Sequence, residues 1–98
     1  MYIGSLRLDV LLGDVHSRKG KRAVVRPLLA ELRKRFEVAV AETGHLDLHR
    51  RAEVGVAVVA AEAGHCREVL EACERVVADR PDVELLSART RVWGDDDD

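Results

Sequence analysis

Two rhythms alternate along this chain, and their order confines it to a narrow group of folds. From Tyr2 to Leu12 every second residue is apolar. Leu6, Leu8, Val10 and Leu12 face one way, with Ser5, Arg7 and Asp9 opposite. A period of two is a half-buried strand, and Gly13-Asp14 ends it. Val25, Leu28, Leu29, Leu32 and Phe36 then recur at helical spacing. Ser17 suits the N-cap ahead of them. Pro27 removes a backbone donor and clashes one turn back. A bent helix, or one that starts near Pro27 as a first-turn residue, is therefore expected, ending at about Arg35.

The strand rhythm returns over residues 36–43, with Phe36, Val38 and Val40 on one side. Residues 44–51 are polar and read as a loop. Val54, Val56 and Val58 mark a third strand over residues 52–61. Gly64 introduces a second helix with the stripe Cys66, Val69, Leu70, Cys73, Val76 and Val77. Arg80-Pro81-Asp82 ends it, and a last strand covers residues 83–92, with Glu84, Arg89 and Arg91 among its polar positions. The order is β-α-β-β-α-β. Two right-handed crossovers side by side predict an α+β, ferredoxin-like sandwich, a four-stranded antiparallel sheet with both helices on one face. Residues 1–94 form one domain in this reading. Residues 95–98, four consecutive aspartates, form a tail disordered by self-repulsion. The other sheet face is left uncovered. It carries Ile3, Ser5, Arg7 and Asp9 with Ala57 and Val59, a mixture that suits a partner or a second subunit.

Composition removes several classes. Apolar residues are 47% and charged residues 35%, a globular balance. No apolar run approaches the roughly 20 residues that span a bilayer. The first residues lack a basic segment before an apolar stretch, so no secretory signal is read and the cytoplasm is expected. Cys66 and Cys73 lie seven positions apart. On one helix that is a rise of about 10.5 Å, too far for a disulfide, which needs Cα atoms within about 7 Å.

The net charge of -2 conceals an asymmetry. Residues 1–51 carry eleven basic and six acidic side chains, and residues 52–98 carry five and twelve. The densest cluster is Arg18, Lys19, Lys21, Arg22 and Arg26, at the start of the first helix and without an acid among them. Cations there oppose the helix macrodipole. Together with His16, Ser17 and the later pair Arg50-Arg51 they form a candidate polyanion site, because helix N-terminal amides with flanking Lys and Arg suit phosphate. A solvated basic face in an Arg-rich chain, thirteen Arg against three Lys, is the plainer alternative.

Other candidates are thinner. A sheet face that stacks bases needs strand aromatics, and the aromatics are Tyr2, Phe36 and Trp93. His45, Asp47 and His49 share the mid-chain loop, where hydrogen-bonding histidines are a plainer reading than metal ligands. His65 adjoins Cys66, but Cys66 lies on the apolar stripe. Glu42 and Asp47 flank the same loop as His49, and Arg50-Arg51 are expected to extend the basic surface or to pair with those two acids. No catalytic set, metal or cofactor is assigned, and no small-molecule substrate is indicated.

The turn His16-Ser17-Arg18-Lys19-Gly20-Lys21-Arg22 with Val24-Val25 resembles the YlxP-like family, small bacterial domains of unknown function. Arg35-Phe36-Glu37-Val38, Ala41-Glu42, Asp47-Leu48, Arg51-Ala52 and Gly55-Val56-Ala57-Val58-Val59 extend the resemblance along nearly the whole chain before the aspartates. Arg18 departs from it where leucine is usual, and His49 where many members carry tryptophan. The resemblance implies a ferredoxin-like fold. It also implies genes near those for translation initiation factor two and ribosome-binding factor A. The resulting expectation is a non-enzymatic domain that binds rRNA or a ribosomal particle. The alternative is a homodimeric assembly domain that uses the open sheet face.

Overall fold

The computed structural model describes residues 1–97. The elements run β1 (Tyr2–Leu12), α1 (Arg18–Arg35), β2 (Ala39–Gly44), β3 (Arg51–Ala60), α2 (Ala63–Ala78) and β4 (Val83–Gly94). The four strands form one sheet in the order β2-β3-β1-β4, with every neighbouring pair antiparallel. This is the ferredoxin-like arrangement.

The alternation in β1 becomes two faces. Leu6, Leu8, Val10 and Leu12 are fully buried beneath the helices. They meet Ala52, Val54, Val56 and Val58 of β3, Val25, Leu28 and Leu32 of α1, and Cys66, Leu70, Cys73, Val76 and Val77 of α2. Gly4 lies where β1 passes under α2. A Cβ there would come within 2.9 Å of Leu70 Cδ1 and 3.3 Å of Cys66 Cβ. Cys66 Sγ donates to the Tyr2 carbonyl at 3.7 Å, and neither cysteine is in a disulfide.

Two expected boundaries are corrected. Helix α1 starts at Arg18, behind the expected Ser17 cap; the alternative start near Pro27 is overturned, and Pro27 lies inside the helix, exposed. The proline forfeits one backbone bond, whereas Lys21 and Val25 before it and Leu28 and Leu32 after it are all buried on one side of the helix. Tertiary packing outweighs that local cost. The Ser17 hydroxyl accepts from Gly20 N at 2.9 Å and fixes the start. At the other end Phe36 caps α1, donating its N–H to Leu32 O at 3.0 Å, rather than opening β2. Pairing begins only at Ala39, opposite Ala57 of β3.

The helices leave one sheet face open, and β4 at the edge is exposed on both faces from Leu86 to Arg91. At its end Asp95 N donates to Met1 O at 3.0 Å, and an Asp97 carboxylate accepts from Gly94 N at 2.8 Å. Asp98, the last residue of the acidic run, lies outside the described residues.

Candidate polyanion interface

Arg18, Arg22 and Arg26 recur every fourth residue, so α1 stacks them along one side. They line a cleft of about 470 Å³ with Lys21, Val25, Leu29, Glu42, Leu46, Asp47 and His49. One wall is the first half of α1 and the other is the loop after β2. Arg18, Arg22 and Arg26 are exposed and form no ion pair among the described residues. Lys19 is also exposed, one residue off this row. No acid stands in the first turn of the helix.

Lys21 behaves differently from its neighbours. It is 6% exposed, the one buried charged residue of the described chain. Its Nζ donates to the carbonyls of His45 at 2.8 Å and Leu48 at 2.6 Å, and lies 2.8 Å from Glu42 Oε2. That carboxylate oxygen is buried and lacks a well-directed hydrogen bond, so the Glu42 contact is an ion pair and the two carbonyls carry the directional bonds. The ammonium is thereby committed to tying the loop to α1. His45 is the loop's one non-glycine residue in the left-handed region, with φ of 56°. Its carbonyl also accepts from Leu48 N at 3.0 Å, closing a turn over residues 45–48. The His45 ring reaches to within 3.5 Å of Asp9 Oδ1. Lys21 therefore builds the cleft wall rather than facing a ligand.

The remaining sequence candidates separate. His16 is exposed, with Nε2 at 2.5 Å from Asp14 Oδ1, and Ser17 is the helix cap. Arg50 donates from Nε to Gly13 O at 3.1 Å and lines another hollow with Pro81 and Asp82. Arg51 lies on the open sheet face, where both its Nε and a terminal nitrogen donate to Asp9. The expected pairing of Arg50-Arg51 with Glu42 and Asp47 is replaced by these contacts, because the strand period turns Arg51 away from the helices. Among the described residues no group of three or more His, Cys, Asp or Glu is placed to hold a metal ion. Among the described residues no helix is long and apolar enough to cross a membrane.

A second charged hollow lies between the C-terminal ends of the helices. Arg80 bridges Glu31 and Asp82 there at 2.6 and 2.8 Å, and Arg35 adds a contact to Glu31 at 3.2 Å. The hydrogen bond from Arg80, then that from Arg35, lowers the Glu31 pKa. The Arg80 bond likewise lowers that of Asp82. These charges satisfy one another. Burial pushes the Cys73 thiol up to about 11, which leaves it neutral and unreactive near neutral pH.

Sequence reasoning did not place Leu46, Asp47 and His49 against the arginine row, since the loop's path depends on the Lys21 tether. It also did not join Arg7 with Arg89, which face each other across β1 and β4.

Comparison with known proteins places these features in a family frame. The family model described as "Protein of unknown function (DUF503)" matches residues 3–90. The "Uncharacterized protein YlxP" of Bacillus subtilis (strain 168) is 27% identical over 88 residues, covering 90% of this chain and 96% of that protein.

Proposed function

The chain belongs to the DUF503 family of proteins of unknown function, and we propose that it is a non-enzymatic domain that binds the phosphate backbone of RNA, in the setting of a ribosomal particle. The observation that supports this reading is the row Arg18, Arg22 and Arg26, exposed along a cleft and without ion-pair partners among the described residues. Arg18 stands in the first turn, where an exposed cation costs about 0.3–1 kcal/mol; Arg22 and Arg26 lie beyond that turn. A bound polyanion removes that cost and adds charge-assisted hydrogen bonds. The arginines are spaced along a helix rather than converged on one point, which suits successive phosphates better than one small anion. The ribosomal setting rests on the gene neighbourhood implied by the family resemblance.

The test is binding of labelled rRNA fragments, read by fluorescence anisotropy at physiological salt. The variant R18A/R22A/R26A is expected to bind these fragments more weakly, with a shallower salt dependence, while keeping the parent's circular dichroism and unfolding midpoint. Lys21 is left in place because its removal attacks the fold. Equal binding by parent and variant would sink the assignment.

A further inference from the structure

The open sheet face carries a second cationic surface, built on different residues from the helix cleft. Register places Arg7 of β1 directly opposite Arg89 of β4, and Ser5 opposite Arg91. Like charges directly opposed on neighbouring strands destabilise a sheet. Arg7 has partial relief, with Nε at 3.5 Å from Glu53 Oε1. Arg89 and Arg91 are exposed and form no ion pair among the described residues. The nearby carboxylate on this face, Asp9, is already held by Arg51. Two residues further along β4, Trp93 sits beneath Arg91, whose guanidinium carbon lies 4.8 Å from the ring centroid.

We propose that this corner of the sheet binds single-stranded nucleic acid, with Arg7 and Arg89 on phosphates and an unpaired base stacked on the Arg91–Trp93 pair. Charge complementarity selects an anion. The stacked planar pair selects an anion that brings π surfaces, since bases stack on aromatic rings and on arginine planes. An acidic peptide would satisfy the charges and leave the stack unused. A second copy laid two-fold on this corner would oppose arginine to arginine. The edge position of β4, exposed on both faces from Leu86 to Arg91, leaves open access for a flexible strand. This extends the RNA reading to a second surface, and the two surfaces fail separately because they share no residue.

Trp93 is the single tryptophan of the chain and reports directly on stacking. Titration with a short oligouridylate at low salt is expected to quench its fluorescence saturably. The variant R89A/R91A is expected to weaken that binding by about tenfold or more, while R18A/R22A/R26A leaves the quench unchanged. Circular dichroism of R89A/R91A should match the parent, since the exchange removes a like-charge pair. Oligouridylate binding seen by anisotropy without Trp93 quenching would overturn the proposal. So would a quench that R89A/R91A does not alter, equal affinity for polyglutamate, or a stable dimer by light scattering that R89A/R91A dissociates.

Discussion

Replacing Lys21 by methionine removes an ammonium and keeps an unbranched apolar stem. In the parent that ammonium is buried, with two loop carbonyls at 2.8 and 2.6 Å and a carboxylate at 2.8 Å. The variant leaves Leu48 O without its lysine donor, removes one of the two donors of His45 O and strands the Glu42 carboxylate. Breaking a buried ion pair by deleting one partner costs about 3–5 kcal/mol. The Glu42 side chain keeps 22% exposure, so water can recover part of its solvation, which favours the lower end. A loss of about 3 kcal/mol lowers the midpoint of a domain this size by roughly 12–24 °C. Urea unfolding followed by circular dichroism measures it. A double-mutant cycle with E42Q divides the cost between the carboxylate and the two carbonyls. A loss below about 1 kcal/mol would refute the tether argument, because a solvated surface lysine costs no more than that.

Three further outcomes follow from other parts of the molecule. Glu31 and Asp82 have carboxyls held below their ordinary values by Arg80, so their contribution is present above those values and is lost as pH falls through the lowered ones. Urea midpoints taken from neutral to strongly acidic pH should show Arg80→Leu less stable than the parent at neutral pH, with the gap closing in acid; a gap that widens in acid contradicts the sign. The two cysteine thiols, buried and in the case of Cys73 pushed up to about 11, should resist a thiol-specific reagent in the native protein and react after unfolding in urea; rapid native labelling would contradict their burial. Gly4→Ala drives a methyl to 2.9 Å from Leu70 Cδ1, an overpacking cost of about 1–3 kcal/mol. Adding Leu70→Val should recover part of it, and a Gly4→Ala protein as stable as the parent would show that α2 yields freely.

The fold was legible wherever burial writes a period. The β1 alternation and the α2 stripe each became a buried face, with Leu6, Leu8, Val10 and Leu12 on one and Cys66, Leu70, Cys73, Val76 and Val77 on the other. Legibility failed where tertiary contact overrode a local rule. Pro27 weakens its own turn, yet the buried side of α1 runs through it. Phe36 continues the β2 alternation, yet it is taken up as the cap of α1, and β2 pairs with β3 only from Ala39 although β3 runs on to Ala60. Within the site, the charge pattern showed the arginine row but concealed Lys21 among like neighbours. One signal was available: Lys21, Val25, Leu28 and Leu32 share the helical spacing of a buried face. Arg7 was legible on the open face, but its place opposite Arg89 was beyond reach, because the bulge at Asp9/Val10 and the pairing of β1 with β4 are products of the folded sheet.

The central claim is that the α1 arginine row contacts phosphates, and the salt dependence of RNA affinity tests it most directly. On a single strand, each phosphate neutralised contributes about -0.7 to the slope of log K against log salt. Loss of Arg18, Arg22 and Arg26 together should make that slope shallower by about 2, with the fold unchanged. The same slope in parent and triple variant would contradict the account.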